Sequence, residues 1–133
     1  MAVTTRTLVV LNIDDAPGRL GELAACLGSD GVNIDGFQID RRSIRLLVDD
    51  PTKAEQALQS NDYNFTLMDV FEVPLADKPG ELARLGKALG KEGINILYTF
   101  GVATGAKTPH VYVRVNDPRR AETVLNRFVG KGS

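Results

Sequence analysis

The sequence predicts an α+β fold built from two tandem βαββα-type units with antiparallel sheets. Three observations carry this: an internal repeat, period-two apolar alternation opening each copy, and helix stop signals at matching places. At a shift of 62 residues Asp15, Pro17, Gly18, Leu20, Leu23 and Leu27 superpose on Asp77, Pro79, Gly80, Leu82, Leu85 and Leu89. Gly28, Gly31, Asn33 and Ile34 likewise fall on Gly90, Gly93, Asn95 and Ile96. Further along, VDDPTKAEQAL at 48–58 matches VNDPRRAETVL at 115–125 with a shift of 67, so the second copy carries five extra residues between Ile34 and Val111.

Each element follows from this frame. Val9, Leu11 and Ile13 alternate on one strand face and map onto Phe71, Val73 and Leu75, so each copy opens with a strand. Leu20, Leu23, Ala24 and Leu27, and then Leu82, Leu85 and Leu89, stand at helical spacing before glycine stops. Asn33-Ile34 and Asn95-Ile96 start second strands, and Ile44, Leu46, Val48 with Val111, Val113, Val115 supply third strands. The five extra residues then lie in a hairpin loop, VATGAKTPH. Asp50-Pro51 and Asp117-Pro118 pair an N-cap with proline at the first helical position, so a second helix closes each copy.

Between the copies, YNFTLMDVFEVPL at 63–75 is strand-like throughout and longer than an ordinary strand. It is expected to be shared, its first half ending repeat one (residues 1–68) and its second half opening repeat two (69–133). After the last helix only Gly130 to Ser133 remain, so the second repeat lacks a last strand of its own. Its sheet is either one strand short or completed by another strand, such as one from a dimer partner, because an open edge is a liability that pairing removes.

Composition narrows the function. In 133 residues, 43 % are hydrophobic and 25 % charged, which is ordinary for a folded globular protein. Sixteen basic against 17 acidic residues leave a formal charge of -1, so no overall field draws nucleic acid or anionic membrane. The single Cys26 forms no internal disulfide, and the N-terminus turns acidic before any apolar run of signal length, so a cytoplasmic location is expected. Charged residues interrupt each apolar run well short of the roughly 20 residues of a membrane helix.

The βαββαβ order, the D-x-P-G turn after strand one and the G-[VI]-N-I junction after the first helix resemble tandem ACT domains. The quoted pieces are IDDAPGRLGELAACLGSDGVNI and LADKPGELARLGKALGKEGINI, and the resemblance covers essentially the whole chain. It implies ferredoxin-like repeats and a non-catalytic regulatory module that binds an amino acid or related small metabolite. In that family the ligand lies at a junction between two units, contacted by the first turn of one and the second-strand region of another. Carried over, the site residues are Asp15, Ala16, Pro17, Gly18, Asn33 and Ile34 in repeat one, and Asp77, Lys78, Pro79, Gly80, Asn95 and Ile96 in repeat two.

Chemistry supports that set. The free N–H groups of a helix N-terminus suit a carboxylate, glycine leaves the backbone open to close approach, and an asparagine amide can read an α-amino and α-carboxylate pair. Structural readings stand beside these: Pro-Gly turns and strand-initiating asparagines also shape backbone, and Asp15 and Asp77 suit helix capping. His110, the sole histidine, has no neighbouring nucleophile and is read as a loop or strand-edge residue, and Cys26 as a core-facing side chain. One Cys and one His far apart make no zinc site, and neither phosphate-loop fingerprint is present. No catalytic set, metal or cofactor is expected.

The expected function is therefore regulation of a metabolic enzyme or other partner in trans, by a homodimer whose interface could hold the ligand. The competing class is an RNA-binding or protein-interaction module of the same element order. Aromatics make up only 6 % of the chain, and neither SIRLLVDD nor HVYVRV carries the aromatic RNA-recognition run.

Overall fold

The computed structural model describes residues 3–12, 17–102 and 110–131. Among these the order is β1 (Thr4–Leu11), α1 (Arg19–Ser29), β2 (Ile34–Ile39), β3 (Ile44–Val48), α2 (Pro51–Ser60), β4 (Thr66–Pro74), α3 (Glu81–Lys91), β5 (Ile96–Val102), β6 (His110–Val115) and α4 (Pro118–Lys131). The α+β class, the six strands and the four helices agree with the sequence reading. The chain divides into two compact units: one is Thr7–Asp69, and the other comprises the described residues before Thr7 and after Asp69. The backbone passes between them within β1 and again within β4.

In the Thr7–Asp69 unit the strand order is β2-β3-β1, antiparallel, with Val9 opposite Leu46 and Phe37 opposite Leu46 on the far side. Alternation places Val9, Leu11, Ile44, Leu46 and Val48 on the face that α1 and α2 cover with Leu23, Leu27, Ala54 and Leu58. Burying a leucine of this size contributes about 2 kcal/mol, so the apolar stripes fix the helices on the sheet. The Asp50 cap forms as expected: its side chain accepts the Lys53 N–H at 3.1 Å. Arg41 and Arg42 are exposed at the β2–β3 hairpin, where the Asp40 carboxylate accepts the N–H groups of Arg42 and Ser43 at 2.8 and 2.9 Å.

The second unit repeats the design as β4-β6-β5, with Phe71 opposite Val113 and Val73 opposite Val111. Phe71, Val73, Val111 and Val113 face Leu85, Leu89, Leu125 and Phe128 of α3 and α4. Asp117 caps α4 through the Arg120 N–H at 3.3 Å. β5 departs from regular register between Ile96 and Tyr98, as β2 does between Ile34 and Gly36, so both repeats carry the same irregularity.

Two details differ from the sequence reading. The strand between the repeats begins at Thr66, because Tyr63 and Phe65 turn inward to pack on the core of the Thr7–Asp69 unit and the Tyr63 N–H reaches back to the Leu58 carbonyl at 3.0 Å. The place of the last strand of repeat two is filled from within the chain: the opening residues of β1 lie beside β4, on the side away from β6. There Arg6 Nη1 meets Glu72 Oε2 at 2.9 Å and the Thr4 hydroxyl donates to Glu72 Oε1 at 3.3 Å. That edge therefore needs no partner strand.

Candidate functional site

The site begins with the turn from β4 to α3. Leu75 to Gly80 leave the sheet, and Gly80 becomes the N-cap of α3 with φ 86°, a left-handed conformation that costs a residue bearing Cβ about 1–2 kcal/mol. Gly18 takes the same role and the same φ before α1. No side chain caps either helix, which corrects the capping reading of Asp77: the left-handed turn places Gly80, three residues further on, at the cap. Asp15 and Ala16 lie outside the described residues. Pro17 and Gly18 remain as the described part of that turn.

In the second unit the turn forms one side of a cleft of about 310 Å3, whose other side is the end of β5 and the start of β6. Asp77, Lys78 and Glu81 bring charge to it, and His110 opens β6 opposite them. Leu75, Leu82, Phe100 and Val111 give it an apolar wall. Leu82 is 63 % exposed, an unusual exposure for leucine, and Phe100 is held by stacking on Tyr112 with ring centroids 5.0 Å apart. Glu81 is the exception in character: it is only 5 % exposed and its carboxylate is grasped by Arg84 through Nε at 2.8 Å and Nη2 at 3.2 Å. Those hydrogen bonds, foremost, hold its carboxyl below the ordinary carboxylate range against the opposing effect of burial, helped by the charges of Arg84 and Lys78 and by the Ala76 N–H. Glu81 thus ties down the turn, while Asp77 and Lys78 remain exposed beside the uncapped helix N-terminus.

The asparagines stand elsewhere. Asn33 donates its backbone N–H to Asp49 Oδ1 at 2.9 Å, accepts the Asp49 N–H at 3.1 Å, and turns its amide Nδ2 to Asp35 at 2.7 Å. Asn95 makes the matching backbone pair with Asn116, at 2.9 and 3.1 Å. Each fastens the start of an edge strand to the end of its neighbour, next to Ile34 or Ile96. Asn95 lies four residues before Thr99, about 13 Å along the strand, so it and Ile96 do not line the cleft that holds Asp77 and Lys78. Pro79 and Gly80 shape the turn without lining the cleft.

Sequence reasoning missed Glu81, Thr99, Phe100, Gly101 and His110 as lining residues. The signal was in the topology: in a β-α-β-β order the end of strand one and the hairpin between strands two and three share one end of the sheet. The hairpin loop itself, residues 103–109, lies outside the described residues. Among the described residues no group of three His, Cys, Asp or Glu side chains is placed to hold a metal ion, and no helix is long and apolar enough to cross a membrane.

Residues 36–129 match the profile of the family described as an ACT domain pair. Among solved structures, a protein of Bacteroides thetaiotaomicron superposes with a TM-score of 0.82 at 26 % identity, over 94 % of this chain and 88 % of that one. The ligand-free regulatory subunit of aspartate kinase from Thermus thermophilus gives 0.68 at 20 % identity, over 98 % and 95 % of the two chains. Escherichia coli aspartokinase III, in complex with lysine and aspartate, gives 0.58 at 16 % identity, with 98 % of this chain spanning 32 % of that enzyme. Among curated proteins none matches the chain.

Proposed function

Because the chain belongs to the family of ACT domain pairs, we propose that it is a non-catalytic regulatory module that binds an amino acid or related small metabolite. It consists of ACT repeats 1–68 and 69–133, works in the cytoplasm as a homodimer, and passes ligand occupancy to a metabolic enzyme or other partner in trans. The regulatory subunits of aspartate kinase share its fold, as does a part amounting to 32 % of aspartokinase III, an enzyme whose structure is in complex with lysine and aspartate.

The observation that carries the reading is the pairing of both signs of charge at one apolar cleft. Lys78 and the uncapped N-terminus of α3 suit a carboxylate. Asp77 suits an α-ammonium, and Leu82, Phe100 and Val111 offer an apolar surface to a side chain. A zwitterion matches this arrangement better than a phosphate or a metal does, since the carboxylate of Asp77 would repel the first and the cation of Lys78 the second. Repeat one has Ala16 where repeat two has Lys78, so the two turns are not equivalent and repeat two is assigned the principal site.

The test is a thermal-shift screen of the twenty amino acids and a set of purine and cofactor metabolites against the full chain. A ligand at a hundredfold over its dissociation constant adds about 2.7 kcal/mol, which corresponds to a rise of roughly 10 °C. One amino acid giving such a rise, abolished by Leu82→Asp, is the expected result. A flat screen at millimolar concentrations overturns the amino-acid assignment and turns the search toward a protein partner alone.

A further inference from the structure

The cleft of the second unit has a matching place in the first, and the two differ in what fills it. At the shift of 62, Leu82, Thr99 and Gly101 correspond to Leu20, Phe37 and Ile39. The strand registers agree: Phe37 pairs with Leu46 and Ile39 with Ile44, while Thr99 pairs with Val113 and Gly101 with Val111. Those four partners all lie in the cores of their units, and residues directly opposite in an antiparallel pair share a face. The edge-strand positions 37, 39, 99 and 101 therefore all belong to the helix-covered face.

In repeat one this place holds an aromatic and an aliphatic side chain, Phe37 at 65 % exposure and Ile39 at 42 %. In repeat two the Thr99 hydroxyl folds back onto the Tyr112 carbonyl at 2.8 Å. Gly101 adds no side chain, and even a Cβ there would meet the His110 carbonyl oxygen at 2.8 Å. The second repeat thus lacks two apolar side chains beside Leu82, and there the cleft of about 310 Å3 opens.

Charge narrows what enters it. Asp77 and Lys78 are exposed at the cleft, whereas Glu81 is taken up by Arg84. His110 turns its side chain to the other face of β6, because its neighbour Val111 lies in the core. Once an α-ammonium meets Asp77 and an α-carboxylate meets Lys78, the described lining residues leave no ionic partner for a charged side chain, and burying one unpaired is costly.

We infer that the cleft selects a free amino acid with a large apolar side chain, phenylalanine foremost, which takes beside Leu82 the place that Phe37 and Ile39 hold in repeat one. This rests on the amino-acid reading given above and adds the side chain that the site selects. Leu75, Leu82 and Val111 pack against that side chain, and Thr99 and Gly101 set the specificity by being small. The volume stands at the lower end of small-molecule pockets, which suits a single amino acid.

Isothermal titration of the full chain with each of the twenty amino acids tests this, on wild type, Thr99→Phe and Phe37→Thr. Phenylalanine is expected to bind most tightly, with lysine, aspartate and glycine at least tenfold weaker. Thr99→Phe, which gives repeat two the residue of repeat one, is expected to weaken phenylalanine binding tenfold or more, and Phe37→Thr to leave it unchanged. Thr99 is exposed, so circular dichroism of Thr99→Phe should match the wild type, and the wild-type ranking of ligands decides the matter independently of that variant. If none of the twenty binds, the amino-acid reading falls and this inference with it. If a charged amino acid or glycine binds as tightly as phenylalanine, or a folded Thr99→Phe binds phenylalanine undiminished, the side-chain assignment alone is overturned.

Discussion

Glu81 and Arg84 meet at two points on the first turn of α3, with Nε donating to Oε2 at 2.8 Å and Nη2 to Oε1 at 3.2 Å. Repeat one has Arg19 and Glu22 at the same two positions with the charges exchanged, and there the pair is exposed and 3.6 Å apart. The difference comes from the neighbour on the last helix. Arg84 lies 3.8 Å from the centroid of the Phe128 ring, whose face favours a cation. Asn61 takes the place of Phe128 in repeat one and spends its amide on the Ala57 carbonyl at 2.8 Å.

The pairing of half-buried Arg84 with buried Glu81 makes stability depend on pH. Arg84 stabilises the charged form of Glu81 and so lowers its pKa in the folded state. A group lowered in this way contributes stability that is present above its unfolded pKa and lost as pH falls through the folded value. Glu81→Gln should therefore unfold at lower urea than wild type near pH 7. The gap should close as pH falls from the ordinary carboxylate range, about 4.3, through the lower folded value. Urea titrations at a series of pH values check this, and a gap that does not change with pH would mean that Glu81 acts through shape alone.

Gly101 sits in the wall of the cleft, where β5 runs close to β6. A Cβ built there would lie 2.8 Å from the His110 carbonyl oxygen and 3.1 Å from Val111 Cα, both backbone atoms that cannot step aside. Gly101→Ala should cost about 1–3 kcal/mol, as overpacking does. Gly86, within α3, has nothing within 4 Å of its Cβ position. Gly86→Ala should stabilise by about 0.5–1 kcal/mol, because glycine gives up more chain entropy in a helix. Opposite signs in the two denaturation curves are the expected outcome.

Asp50 accepts the Lys53 N–H at the start of α2, directly before Pro51. Asp50→Ala should lower unfolding stability by about 1 kcal/mol, and Asp50→Asn by much less, since the amide oxygen can still cap. Equal losses in the two variants would show that the carboxylate charge, rather than the hydrogen bond, is what counts.

Lys78 is exposed and beside the cleft, so its removal should leave the unliganded protein's melting temperature nearly unchanged. Lys78→Ala should weaken binding of the amino acid found in the screen by roughly tenfold or more, the scale of one charge-assisted hydrogen bond. Isothermal titration at low and high salt reads both the loss and its electrostatic origin. Undiminished binding would move the carboxylate contact away from this turn.

The sequence by itself determined the elements and their order. Leucines at helical spacing, alternating valines and isoleucines, and aspartate before proline are local signals, and each acts through backbone and solvent within a few residues. It also marked Asp77 and Lys78, because the repeat drew attention to the turn that holds them. The tertiary structure decided the rest. That Thr4 to Arg6 lie beside β4 depends on hydrogen bonding to a strand more than sixty residues away, which no local pattern encodes. That Gly80 rather than Asp77 caps α3 depends on a left-handed φ that the composition of the turn permits but does not dictate. The cleft itself exists only because strand pairing brings Phe100, Gly101 and His110 to the end of the sheet where the β4–α3 turn emerges, and side chains so distant in sequence acquire a common surface only once the sheet has formed.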